Sequence, residues 1–373
     1  MMQKKFRLIA ASLFGLTLAL FLFAPVNAQE NAMQAMGKAN AKVAKASSRQ
    51  NHWEGPADGP KLLPKKRVVF IGADMMNSVI ADLYKNTKEA AAQAGWEILL
   101  IDCRGACYTG APVLNQAVGM KPDGIILAGV DVTTQARGLA KAQEKKITVV
   151  GWHALSKPGP VDGFFADIGN NPRDAGQIAA LYGATEASSR MGMVILTDNS
   201  TPYMAAKSAA AVEIIKQCEN CRLLSVEEMP YYEAPAKLQA TLEDLVKRFG
   251  SKWTHVLAVS DIYFDLMERP ALATAIAGNK LKGISAGDGS TSAYVRLHSG
   301  ALQIGTIPEP VSMQGWQLVD ELNRAFSGVA PSGFNMPVHL VSEHNLAFDG
   351  GAKNTFDPEN DYRTQYKKYW FPK

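Results

Sequence analysis

Residues 67–102 read RVVFIGADMMNSVIADLYKNTKEAAAQAGWEILLID, and this stretch decides the fold. Arg67–Gly72 is a short apolar run without polar alternation, the pattern of a strand buried on both faces. Val79–Ala94 places its apolar residues at helical spacing and stops at Gly95. Trp96–Asp102 is a second apolar run. A helix of this length between two such strands implies a right-handed parallel crossover.

Outward from there the rhythm persists. GIILAG (124–129) and ITVVGW (147–152) are the next strands expected, with helices over 111–120 and 132–145. The pattern restarts after Asp167. Helices expected over 172–189, 203–217, 234–249, 263–277 and 311–327 alternate with strands. Those strands are MVILTD (193–198), residues 223–229, HVLAVSD (255–261), LKGISA (281–286), LQIGTI (302–307) and residues 337–342. The fold class is therefore α/β, two Rossmann-like doubly wound parallel-sheet lobes in tandem.

The chain begins as a secretory signal. Lys4, Lys5 and Arg7 precede the apolar run Leu8–Phe23, and Val26-Asn27-Ala28 offers a small-residue cleavage site before Gln29. Residues 1–28 read as a signal peptide, which places the mature protein outside the cytoplasm. They hold three of the 39 basic residues and none of the 35 acidic ones, so the remainder has a net charge of about +1. That leaves neither a nucleic-acid footprint nor a polybasic membrane patch. Residues 29–64 read as a flexible segment, polar up to Gln50 and then broken by Gly55, Pro56, Gly59, Pro60 and Pro64. A transient helix fits 31–46, and Trp53 is the residue suited to dock on the folded body.

The four cysteines form two local pairs, Cys103–Cys107 and Cys218–Cys221. In an exported chain two short disulfides are the simpler reading. A zinc site would have to bring both pairs together.

Ligands of open α/β sheets bind beyond the carboxyl ends of the strands. Asn77, Trp152, His153, Asp261, Asp288 and Glu309 all fall there. Each has an ordinary alternative: Asp261 or Asp288 as a helix cap, Trp152 as core, Glu309 as a solvated charge. Their joint position on one rim is the informative feature. Gly283-Ile284-Ser285-Ala286-Gly287 fits the G-x-S-x-G nucleophile elbow, but Ser285 falls inside a strand rather than at the turn. No metalloprotease, phosphate-loop or dinucleotide signature occurs, so no catalytic residue, metal site or cofactor is expected.

The landmarks VVFIG, AAQAGWEILLID, PDGIILAG, ITVVGWH, FFADIGNN, HVLAVSD, GISAGDGS and LQIGTIPEP come in an order that resembles the type I periplasmic binding proteins. The likeness is to the ribose- and galactose-binding group of sugar ABC transporters, over residues 67 to about 342. It implies two lobes joined by a three-crossing hinge near Asp167-Ile168, Glu309 and His339-Leu340. The lobes would be 65–167 plus 310–339, and 168–309 plus 340–373. It also implies a monomer that takes a small polar ligand, a sugar or polyol foremost, in the periplasm and delivers it to an ABC permease. A ligand-sensing subunit that signals to a membrane histidine kinase is the alternative, and a cationic or aromatic small molecule the alternative ligand. Nothing in the resemblance implies an enzyme. Carried over by position, the ligand shell is Asn77, Trp152, His153, Lys207, Tyr232, Asp261, Asp288 and Glu309. Val79 and Ile80 stand where the family has stacking aromatics, and Trp152-His153 replaces an Asp-Arg pair.

Overall fold

The computed structural model describes residues 34, 36–161, 163–187 and 190–373; the signal peptide and its cleavage site lie outside the described residues. Helix α1 covers residues 36–46. The first lobe then runs β1 (Arg67–Gly72), α2 (Ser78–Ala92), β2 (Glu97–Asp102), α3 (Val113–Gly119), β3 (Gly124–Ala128), α4 (Ala136–Glu144), β4 (Thr148–Trp152), β5 (Gly159–Val161) and β6 (Phe164–Ile168). Its six-stranded sheet has the order β2-β1-β3-β4-β6-β5, parallel except at β5. Val68–Ile71 and Ile125–Ala128 are completely buried, as strands covered by helices on both faces must be.

The second lobe runs α5 (Pro172–Glu186), β7 (Met191–Thr197), α6 (Pro202–Gln217), β8 (Cys221–Glu228), α7 (Ala234–Phe249), β9 (His255–Ala258), α8 (Ile262–Met267), α9 (Pro270–Ile276), β10 (Lys282–Ser285), α10 (Thr291–Ser299) and β11 (Gln303–Thr306). Its sheet order is β12 (Val341–Ser342) followed by β11-β10-β9-β7-β8. The helix expected over 263–277 is two helices, because Pro270 cannot donate a backbone bond and opens α9 instead. Chain crossings fall at 169–171 and 307–310, and α11 (Val311–Phe326) returns to the first lobe. A third crossing leads to β12 (Val341–Ser342), much shorter than the strand expected over 337–342.

Both chain ends depart from expectation. The resemblance implies residues 340–373 in the second lobe, but α12 (Tyr362–Trp370) packs on the first. Trp370 stacks on Trp316 of α11 at 5.3 Å, and its Nε1 donates to Asp320 at 2.8 Å. Tyr362, Tyr366, Tyr369 and Trp370 share one helical face, which accounts for the docking. The segment read as a flexible tether is likewise laid down. Ala46 is buried against the second lobe and accepts the Leu340 N–H at 2.9 Å. Trp53 packs on Phe334 and Tyr366, and Asn323 holds the carbonyls of Pro60 and Lys61. The segment therefore ties the two lobes together behind the hinge.

Both cysteine pairs form disulfides, Cys103–Cys107 and Cys218–Cys221. No helix among the described residues is long and apolar enough to cross a membrane.

His255, at the start of β9, carries a pH consequence. Its ring is buried, Nδ1 faces Thr254 Oγ1 at 2.8 Å, and Nε2 has no partner. Burial first, and Lys282 second, push its pKa down to about 4. A base depressed in the folded state is protonated more readily in the unfolded chain. Stability should therefore decline as pH falls from about 6.5 towards 4. Denaturant midpoints measured at pH 7, 6 and 5 should show this decline, and His255→Asn should flatten it.

Candidate functional site

The carboxyl ends of both sheets face each other across the hinge, and there five of the eight expected residues converge. Trp152 ends β4 and His153 follows it. The His153 ring stacks on Trp152 at 3.5 Å and on Tyr203 of the second lobe at 3.8 Å, giving a three-ring column across the cleft. His153 adopts a φ of 57°, an uncommon state for a residue with a side chain. Gly169 makes room for it, since a Cβ there would lie 2.5 Å from His153 Cδ2.

Glu309, in the second crossing, is the electrostatic centre. Its carboxylate accepts from His153 Nε2 at 2.9 Å, Gln314 Nε2 at 2.6 Å, the Tyr203 hydroxyl at 3.0 Å and the Asn170 N–H at 3.1 Å. Gln314 turns its oxygen to Trp152 Nε1 at 2.7 Å, which fixes the direction of its amide. Burial alone would raise the Glu309 pKa, but His153, Gln314 and Lys207 outweigh it and hold the carboxyl below its ordinary value. Tyr203 is driven the other way, by burial and then by Glu309 and Asp288, so its hydroxyl stays protonated.

Lys207, on α6, is 1 % exposed, and its ammonium meets Asp288 at 2.8 Å and the Val259 carbonyl at 3.3 Å. It also lies 5.0 Å from the Tyr203 ring centre. Gly287 and Gly289 flank Asp288 with φ of 150° and 80°; a Cβ on Gly287 would reach within 2.4 Å of Lys207 Nζ. Asp288 is not a helix cap, because Ser290 fills that role for α10. His153, Asp288 and Glu309 offer ligand atoms within 4.8 Å of one another. A cation there would have to displace Lys207 and the donors already on Glu309, so the trio is better described as an ion-pair cluster.

Three expected residues stand apart. Asn77 caps α2 through the Val79 N–H at 2.9 Å. Asp261 is consumed internally, accepting from Gly289 and Ser290 N–H, Gln303 Nε2 and Thr306 Oγ1, and so it holds the Asp288 turn rather than facing the cleft. Tyr232 is 53 % exposed, while its neighbour Tyr231 is packed against Tyr263. Asp261→Ala should accordingly destabilise the fold, by about 1–3 kcal/mol for the orphaned buried donors, whereas Tyr232→Ala should leave both melting temperature and ligand affinity within error. Calorimetry of the two variants checks this. The expected ligand shell omits Tyr203, Gln314 and Asn170, although Tyr203 ends the run Asn199–Tyr203 beyond the MVILTD strand. Tyr203 directly follows Pro202, which opens α6, and Gln314 lies in the first turn of α11 after Pro310, a usable signal; the Asn170 backbone contact left none. Ser285 is buried within β10, away from any elbow geometry.

Two parallel α/β lobes whose strand tips meet across a hinge define a two-lobed ligand-binding protein. The sequence matches the periplasmic binding protein domain over residues 68–329, and the chain belongs to that family. Solved structures share the fold. An ABC transporter solute binding protein from Agrobacterium vitis, bound with alpha-D-tagatopyranose, has a TM-score of 0.67 at 18% identity, covering 78% of this chain and 99% of its own. The glucose-galactose binding protein GanP from Geobacillus stearothermophilus has a TM-score of 0.63 at 17% identity, covering 76% and 99%. A chain solved as the XylFII-LytSN complex has a TM-score of 0.61 at 17% identity, covering 75% and 99%. A search of the curated proteins finds no significant match.

Proposed function

We propose that the protein captures a sugar or polyol between its lobes in the periplasm and delivers it to an ABC importer. The observation that carries this reading is the convergence of a ring column, Trp152–His153–Tyr203, with the hydrogen-bonded pairs His153–Glu309 and Lys207–Asp288, drawn from both lobes and the hinge. Rings offer a face to sugar C–H groups, and carboxylate and ammonium groups can each serve a hydroxyl. The pairs are satisfied within the chain, so a ligand must exchange bonds with them. Ligand binding would favour the closed arrangement, because only that one lets both lobes touch it.

Native mass spectrometry of protein isolated from the periplasm, followed by calorimetric titration with D-galactose, D-tagatose and allitol, tests the reading. A bound neutral polyol supports it, while turnover of the bound compound would replace it with an enzyme. The intact mass should begin at Gln29. The second reading is a sensing subunit that reports to a membrane histidine kinase. The relative solved as a complex favours keeping it. Co-purification with a permease or with a kinase separates the two.

A further inference from the structure

The His153 imidazole lies between Trp152 of the first lobe and Tyr203 of the second, at 3.5 and 3.8 Å with interplanar angles of 18° and 19°. Both faces of the ring are therefore covered at van der Waals distance. Its edge is engaged as well: Nε2 lies 2.9 Å from Glu309 Oε1, and the side chain is 3 % exposed. A ring held on both faces by apolar surface and on its edge by one polar group is how a cleft holds a small ligand. Here the chain supplies that ring itself.

The walls of this slot are held independently of its occupant. Trp152 donates its Nε1 to Gln314 at 2.7 Å, and the Tyr203 hydroxyl reaches the Asn170 carbonyl at 3.2 Å as well as Glu309. Glu309 in turn keeps Gln314 and the Asn170 N–H. The His153 backbone is pinned by its N–H, which donates to the Ile168 carbonyl at 3.1 Å. Rotation of the side chain about χ1 would thus empty the slot and leave its walls standing. A side chain seldom adopts the φ of 57° found at His153, and it is retained here with Gly169 leaving room for the ring.

We propose that His153 is a specificity-determining plug, which fills the ring subsite of the free protein and is displaced from between Trp152 and Tyr203 when a ligand binds. The incoming molecule must present a face to each ring and a hydroxyl hydrogen to Glu309 in place of Nε2. A molecule with the faces but no donor leaves the Glu309 contact unmade and is rejected. The ligand class rests on the function proposed above, whereas the plug is a property of the chain alone. Apparent affinity is then the intrinsic affinity reduced by the fraction of molecules whose slot is open.

Titration of D-tagatose and D-galactose into wild type, His153→Gly and His153→Asn tests this. Glycine accepts the same φ and asparagine tolerates it, so either variant vacates the slot on an unchanged backbone, and one serves if the other fails to fold. A sugar that binds should bind the vacated site about tenfold more tightly than wild type. In wild type, proton NMR should place the His153 ring resonances upfield, between two aromatic rings, assigned by their absence from the variants. Saturating sugar should return them towards the ordinary histidine position. Equal or weaker binding by a folded variant, or resonances unmoved at saturation, makes His153 a fixed part of the site and overturns the plug. If neither sugar binds any of these proteins, the sugar reading fails and imidazole decides the plug. Imidazole at millimolar concentration should then raise the melting temperature of the folded variant and not of wild type. No such rise overturns the proposal.

Discussion

Glu309→Ala is expected to remove measurable ligand binding and to lower the melting temperature by several degrees. Four donors converge on this carboxylate, and of these the Tyr203 hydroxyl also reaches the Asn170 carbonyl at 3.2 Å. His153 comes from the tip of β4, Asn170 from the first crossing, Tyr203 from the second lobe and Gln314 from α11. The residue thus connects every element that must move together when the lobes close. Removing one member of a buried, hydrogen-bonded pair typically costs roughly 3–5 kcal/mol, most of it from the partners left behind. Glu309→Gln separates charge from shape. Its amide keeps an oxygen to accept but presents two hydrogens to a site that already holds donors, so it should recover only part of the loss. The pH dependence follows from the sign of the shift. The folded carboxyl titrates below its ordinary value of 4.5, so its stabilisation is present above that pH and is lost as pH falls through the lower folded value. Acid unfolding should therefore be less steep in Glu309→Gln. Calorimetric melting with titration of the ligand found in the wild-type protein is the measurement. A loss below about 1 kcal/mol with unchanged affinity would show that water replaces the carboxylate.

The fold was legible because its signals are local. Val68–Gly72, Gly124–Ala128 and Met191–Leu196 are apolar throughout, and strands buried on both faces leave no other pattern. β5 escaped notice because it has three residues, two of them exposed, and exists only by pairing with β6. The shortness of β12 was equally hidden. Pro337 has no N–H to give, and the Leu340 N–H is taken by Ala46, almost three hundred residues earlier. The site divides along the same line. Trp152, His153, Asp288 and Glu309 were readable because strand tips are fixed by the strands themselves. Asp261 and Asp288 could not be told apart, since both follow buried strands. Their difference lies in Gln303 and Thr306 of β11, which take Asp261 out of the cleft and leave Asp288 facing Lys207.

That last contrast yields the second large effect. Asp288→Ala should weaken ligand binding by tenfold or more, at roughly 1.4 kcal/mol per decade, and it should also destabilise the second lobe. Lys207 is 1 % exposed and Asp288 is buried beside it, so either single change strands an opposite charge. A double-mutant cycle isolates the pair from the ligand. Lys207→Met and Asp288→Asn should each lower stability, while the combination should regain most of the loss, because no buried charge remains unpaired. Affinity should behave otherwise. The double variant presents a neutral, shape-conserving surface and should stay as weak as Asp288→Asn, since a ligand hydroxyl then lacks both its charged acceptor and its charged donor. Thermal melting and titration on the same four proteins give both cycles. Strictly additive stabilities would mean that the two charges are solvated separately. Recovery of affinity together with stability would make Lys207–Asp288 a structural pair and move the polar contacts of the ligand to the Glu309 side of the cleft.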